Sequence, residues 1–290
     1  MELIHTVAWM KQVAAQARRD GRLLGLVPTM GALHGGHLSL VREAQRQCSP
    51  VVVSIFVNPK QFGPTEDFRN YPRALEADRT ALENLRVDFA FVPPAEEIYP
   101  SGFCTSVNVE GFSDRLEGRS RPGHFRGVST VVLKLFEIVQ PQFAFFGRKD
   151  AQQTRIIRQM ARDLNLDVEI VVCPIVREPD GLAMSSRNAY LSTVERRAAT
   201  VLSRSLERAK RELAAGETDT ARLVAAVRGV IDGEPGVALD YAELVDADTL
   251  EPARTLRRPC YILLAATVGG TRLIDNALIE PADDSLVVTV

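Results

Sequence analysis

Pro28-Thr29-Met30-Gly31-Ala32-Leu33-His34-Gly35-Gly36-His37-Leu38-Ser39-Leu40-Val41 is the stretch whose reading decides the fold. Before it, the apolar run Leu23-Leu24-Gly25-Leu26-Val27 breaks at Pro28; after it, Leu38, Val41 and Ala44 recur with a helical period. Glycines fill the middle, so the text spells strand, tight turn, helix. Such a turn aims the unpaired N–H groups and the positive end of the new helix at the carboxyl edge of the sheet, where phosphate is the natural guest. His34 and His37 are three apart and can project together above the first helical turn if that helix starts near Gly35. Two other readings stay open on these residues alone. A metal would need more ligands than His-x-x-His supplies, and no Cys or further His lies nearby. Both rings could also be ordinary residues of a turn and a helix start.

Outward from this stretch the alternation continues. Val51-Val52-Val53-Ser54-Ile55-Phe56-Val57 is apolar almost without a break, which suits a parallel strand covered on both faces. It ends in Asn58-Pro59-Lys60-Gln61, a polar cluster at the ligand-binding end of such a strand. A helix to about Leu85, a strand over 87–92, a basic turn with Arg121, His124 and Arg126, an apolar helix from there to Phe136, and strands over 143–146 and 168–172 follow. Residues 3–19 carry a helical period of Val7, Met10, Val13, Ala14 and Ala17. Gly147 would allow a ligand close to the backbone, Lys149 is a compact charge suited to phosphate, and Met184-Ser185-Ser186-Arg187-Asn188 reads as an anion clamp or a helix cap. Beyond Asn188, two Arg- and Glu-rich or apolar helices (193–215 and 219–231) precede strands over 239–245, 261–268 and 271–274, the texture of a smaller α+β domain. The fold class expected is α/β, a Rossmann-type, doubly wound, mainly parallel sheet. Domains are expected at 1–184 and 185–281, the second a lid hinged near 178–190, with a poorly packed tail over 282–290.

Composition narrows the function. The 290 residues carry 46% apolar and 25% charged side chains, a net charge of −2 and a pI near 6.2, so no basic footprint for nucleic acid is present. The longest apolar stretch, near Tyr261–Val268, falls short of the roughly 20 residues that span a bilayer. Glu2 stands where a secretory signal would carry positive charge, and a cytoplasmic location is expected. The four cysteines are scattered singly, without zinc or disulfide spacing. Of 35 lysines and arginines only five are Lys, which draws attention to Lys60, Lys134 and Lys149 in the motif-bearing stretches.

His34-Gly35-Gly36-His37 after a strand resembles the His-x-Gly-His signature of the nucleotidyltransferase superfamily. The longer strings resemble one family within it, the pantothenate synthetases, ligases that join pantoate to β-alanine with ATP. These strings are Pro28–Val41, Ser54–Phe62, Arg121–Val132, Phe145–Gln153 and Met184–Asn188, spanning 28–188, and the likeness runs on through Thr271-Arg272-Leu273-Ile274-Asp275-Asn276. The resemblance implies that His34, His37, Lys149, Ser185, Ser186 and Arg187 are catalytic. It places ATP against Met30, His34, His37, Gly147, Lys149, Asp150, Val176, Met184, Ser185, Ser186 and Arg187. The pantoate side falls to Pro28, Thr29, Met30, Asn58, Gln61, Arg121, His124, Val131, Val132 and Gln153. Asp78 is implied in holding Mg²⁺, although members often have adjacent acids where this chain has Glu76-Ala77-Asp78. A homodimer is implied too. Another adenylyl- or cytidylyltransferase and a non-catalytic nucleotide sensor are the alternatives. Gln61 and Gln153, which belong to the acid side, favour the ligase over the first, and pantoate-dependent pyrophosphate release separates it from the second.

Overall fold

The computed structural model describes residues 1–282 and 285–290. Its chain divides into two compact units, Met1–Arg148 with Gln152–Pro174, and Lys149–Ala151 with Ile175–Val290. In the first unit β1 (Glu2–Ile4), α1 (Val7–Arg19), β2 (Gly25–Thr29), α2 (Gly35–Gln47), β3 (Val51–Ile55), α3 (Leu75–Asn84) and β4 (Phe89–Phe91) alternate. Two short helices, α4 (Ala95–Ile98) and α5 (Glu117–Ser120), then precede α6 (His124–Val139), β5 (Phe143–Gly147), α7 (Ala151–Asp163) and β6 (Glu169–Cys173). The six strands form one parallel sheet in the order β1-β4-β3-β2-β5-β6.

The unbroken apolar runs are explained by burial on both faces. Leu26, Val52, Ala144 and Phe146 join the core beneath α1, α6 and α7, while their neighbours Val27, Val51, Val53 and Phe145 join the core beneath α2 and α3. Each fully buried side chain of this size contributes about 1.5–3 kcal/mol. From β2 the chain winds toward β4 in one direction, and from β5 toward β6 in the other. The carboxyl ends of β2 and β5 therefore flank a topological switch point, the ligand crevice of open α/β sheets. Met30 follows one of these strands, and Gly147 ends the other.

The second unit holds α8 (Thr193–Ala199), α9 (Val201–Ala214), α10 (Thr220–Asp232) and an antiparallel sheet of β7 (Val237–Asp246), β8 (Cys260–Val268), β9 (Thr271–Ala282) and β10 (Ser285–Thr289), ordered β10-β9-β8-β7. Among the described residues no helix is long and apolar enough to cross a membrane.

Four expectations change. Glu2–Ile4 is an edge strand parallel to β4 and not the start of α1, which Thr6 caps by accepting from the Trp9 N–H. The long helix expected over 193–215 is two, broken at Thr200. The tail is not loose: β10 pairs antiparallel with β9, and Leu286, Val288 and Val290 pack on the second unit's core, while Asp283 and Asp284 lie outside the described residues. The unit boundary falls at Pro174/Ile175, not at 184/185. Residues 176–184 close into a hairpin of the second unit, with Met184 N–H donating to Val176 O at 3.0 Å and Glu178 N–H to Leu182 O at 2.8 Å.

Backbones approach closely between α6 and the 59–61 turn, where a Cβ on Gly127 would overlap the Lys60 carbonyl. Gly127→Ala is expected to cost about 1–3 kcal/mol in urea unfolding. Gly229→Ala in α10, where an added Cβ meets nothing within 4 Å, should stabilise by about 0.5–1 kcal/mol. Equal effects from the two substitutions would contradict this packing.

Candidate active site

Between β2 and α2 the backbone makes a turn that ordinary residues resist, with Gly31 at φ +82° and Ala32 at φ +50°. The turn is held from α3: the Asp78 carboxylate, 2% exposed, accepts from Ala32 N–H at 2.9 Å and Leu33 N–H at 2.7 Å. Its Oδ2 lies 3.0 Å from where a Gly31 Cβ would stand, which accounts for that glycine. Burial pushes the Asp78 carboxyl pKa up, against the pull of the Leu33 and Ala32 bonds.

The helix starts at Gly35, and both histidines cap it. His34 Nδ1 accepts from Gly36 N–H at 3.2 Å and His37 Nδ1 accepts from His34 N–H at 3.4 Å, a reciprocal capping box built from imidazoles. The rings lie with centroids 4.0 Å apart. Because each Nδ1 is an acceptor, the proton of each neutral ring sits on Nε2. Local sequence alone puts these donors at the α2 N-terminus; Asp78 sets their height above the sheet.

At the end of β3, Asn58 is 1% exposed and fully committed. Its Nδ2 donates to Gln61 Oε1 and Gly127 O, both at 3.1 Å, and its Oδ1 accepts from Tyr99 Oη at 2.8 Å and Lys60 N–H at 3.2 Å. Asn58 thus orients Gln61 rather than facing a ligand itself. With Oε1 taken, Gln61 presents Nε2, which donates to Met30 Sδ at 3.0 Å. A thioether is a weak acceptor that a ligand oxygen can replace. Thr29 bonds to the neighbouring strand, donating to Ser54 O at 2.7 Å, and Pro28 lies in β2 beside it.

Arg121 is no open clamp. It holds Glu66 in a bidentate pair at 2.8 and 2.7 Å; burial is the largest single influence and raises the Glu66 carboxyl pKa, but the Arg121 bond and charge, the His124 ring and the Gly63 amide together outweigh it and the net shift is down. His124 is buried, with Nδ1 donating to Gln61 O at 2.9 Å and Nε2 accepting from Arg121 Nη1 at 3.1 Å. Burial first, then the Arg121 charge, depresses its pKa to about 4, so the ring is neutral at physiological pH. Val131 and Val132 are buried in the core with α6. Gln153 is half-buried on α7, whereas its neighbour Gln152 is buried and ties down 112–117 through Glu117 N–H, Phe112 O and Arg115 O. Gly147 has open space where a Cβ would stand.

In the second unit, the hairpin 176–184 delivers Val176 and Met184 to a 3-10 turn over Ser186–Tyr190, whose cap is Ser185 Oγ accepting from Arg187 N–H at 3.3 Å. Asn188 Nδ2 donates to Ala183 O at 3.1 Å, closing the signature on itself. Lys149 and the exposed Asp150 belong to this unit, with Lys149 O accepting from Asn276 Nδ2 at 2.9 Å.

Magnesium needs carboxylates or phosphate oxygens around it. Among the described residues no group of three or more His, Cys, Asp or Glu could hold a metal, and Asp78 gives both oxygens to backbone amides. These residues do not make a protein-held Mg²⁺ site.

Residues the sequence reading passed over are Glu66, Tyr99, Gln152, Arg177, Asp275 and Asn276. Only Gln152, Asp275 and Asn276 stood within a string quoted for resemblance.

A family model described as pantoate-beta-alanine ligase matches residues 2–278. The pantothenate synthetase of Koribacter versatilis is 52% identical over 98% of this chain and 98% of its own length. That of Acidobacterium capsulatum is 58% identical over 89% and 86%. The crystal structure of pantothenate synthetase from Thermus thermophilus matches with a TM-score of 0.91 at 45% identity, covering 95% of this chain and 98% of that one. A pantoate-beta-alanine ligase from Francisella tularensis, in complex with beta-gamma ATP and β-alanine, matches at 0.78 and 34%, over 95% and 97%. With a doubly wound parallel sheet, a histidine-capped turn at its switch point and matches of this extent, the chain belongs to the pantoate–β-alanine ligase family.

Proposed function

We propose that this chain condenses pantoate with β-alanine at the expense of ATP, giving pantothenate, AMP and pyrophosphate through a pantoyl adenylate. The observation that carries the nucleotide half is the imidazole pair at the α2 N-terminus, with both Nδ1 atoms accepting from backbone amides of the turn. The Francisella relative's complex with beta-gamma ATP and β-alanine supports the same substrates.

In the first step a pantoate carboxylate oxygen attacks the α-phosphorus of Mg·ATP, the bond to the β-phosphate breaks and pyrophosphate leaves with the electron pair. In the second, the neutral amine of β-alanine attacks the pantoyl carbonyl, AMP leaves, and the amine gives up a proton. Such chemistry asks for positioning and charge stabilisation and for no protein nucleophile. His34 and His37 donate from Nε2 to phosphate, with Lys149, Ser185, Ser186 and Arg187 stabilising charge and Gly147 allowing close approach. Gln61 exchanges the Met30 sulfur for a pantoate oxygen, and Gln153 serves the same acid. Mg²⁺ arrives with the nucleotide as part of the substrate. We place the reaction in the cytoplasm, where ATP is supplied, and in a homodimer, as the family resemblance implies.

Positional isotope exchange within ATP is expected with pantoate present and β-alanine absent; no exchange under those conditions would remove the adenylate. His37→Ala should lower kcat on the order of a hundredfold, the scale for loss of one preorganised donor. Its unfolding free energy should fall by only about 1 kcal/mol, the scale for a lost cap. Lys149→Arg should be substantially slower than wild type, because a planar fork does not replace a compact ammonium. Full activity in Lys149→Arg would contradict the point-charge role.

A further inference from the structure

Lys149–Ala151 lie where β5 passes into α7, yet belong to the second unit. A bond from β9 accounts for this: Asn276, 0% exposed, donates from Nδ2 to Lys149 O at 2.9 Å. The preceding residue on the same strand, Asp275, receives Arg177 through two bonds, Nη1 to Oδ2 at 2.7 Å and Nη2 to Oδ1 at 3.0 Å. That guanidinium also donates to Gly181 O at 3.0 Å, at the tip of the hairpin 176–184. Neighbours on a strand address opposite faces, so one dipeptide reaches two separate segments. Both segments carry the residues assigned to phosphate.

Burial of this kind is costly for a sheet that needs only packing. An amide and an ion pair taken out of water give little net stability, and apolar residues of similar volume often do as well or better. The bonds are worth keeping where they set a geometry. We propose that Asp275 and Asn276 are positioning residues for the phosphate-binding groups: Asn276 sets Lys149 through its carbonyl, and Asp275, through Arg177, sets the hairpin that carries Ser185, Ser186 and Arg187. The inference rests on the reading of Lys149 and Arg187 as phosphate ligands.

A double-mutant cycle over Asn276→Ala and Lys149→Ala tests it, read as kcat and KM for ATP in pantoate-dependent pyrophosphate release by full-length protein with a cooperative melt. Asn276→Ala should lower kcat on the order of tenfold, as displacement of a reacting group by a fraction of an ångström does. In the Lys149→Ala background it should lower kcat no further, while the melting temperature drops equally in both. A kcat loss that multiplies across the two backgrounds, or an Asn276→Ala enzyme with wild-type kcat, overturns the inference. Wild-type kcat in Lys149→Ala alone would instead remove the phosphate reading on which it stands. If Asn276→Ala does not fold, Asn276→Asp keeps the shape, removes the donor and is read through the same cycle. For the other arm, Arg177→Lys keeps the charge beside Asp275 but loses the fork and the bond to Gly181. It should slow the wild type and leave Arg187→Ala unchanged; an equal slowing of both overturns that arm.

Discussion

The two bonds that the Asp78 carboxylate accepts from the amides of Ala32 and Leu33 are the constraint on which the histidine turn of this protein depends. The turn they close holds a non-glycine residue in the left-handed region, at a cost of about 1–2 kcal/mol. The two amide bonds offset that strain, while burial of the carboxylate works against them. With that turn fixed, His34 becomes the N-cap of α2 and His37 its reciprocal partner, and the two rings are left with one orientation. The family resemblance implied a metal role for Asp78. Its burial and its two amide partners instead make it the support of the histidine turn.

A second knot organises the end of β3. Backbone contact between Gly127 and the 59–61 turn brings α6 against the end of β3, and Asn58 and His124 then lock Gln61 by its side chain and its carbonyl. His124 carries the opposite tautomer from the helix-capping pair, with its proton on Nδ1, because its partner there is a carbonyl. One residue type thus does two jobs in this chain. Two rings at the start of α2 accept at Nδ1 from backbone amides, and one buried ring is a neutral bridge between Arg121 and Gln61.

Much of this was legible in the sequence because it is local. The apolar run over 51–57 could only suit a strand covered on both faces, and proline, glycine and histidine after β2 mark strand, turn and helix start within a dozen residues. What stayed hidden is long-range or too short to carry a period. Glu2–Ile4 is three residues, and its apolar positions fit the helix that follows as well as a strand. The strand expected over 271–274 runs on through Pro281 to Ala282, and the chain returns beside it as β10. Arg121 reads as one charge of a basic turn until Glu66, far off in the chain, is seen to hold it in an ion pair. Asp78 has a sufficient local explanation in the dipole of α3, which concealed its use on another element. Asp275 and Asn276 sat inside a quoted string, but nothing in that string names Arg177 or Lys149 as their partners.

In the function proposed, phosphate binding at this turn depends on the histidine rings directing both Nδ1 atoms inward and both Nε2–H groups outward to the nucleotide. Long-range ¹⁵N–¹H correlation spectra of the protein labelled at its four histidines measure this directly, with and without Mg·ATP. His34 and His37 are expected with a bare Nδ1 and a protonated Nε2 that shifts on addition of nucleotide, and His124 with the reverse tautomer and no shift. A protonated Nδ1 on either member of the pair in the neutral ring, or Nε2 signals indifferent to nucleotide, would contradict it.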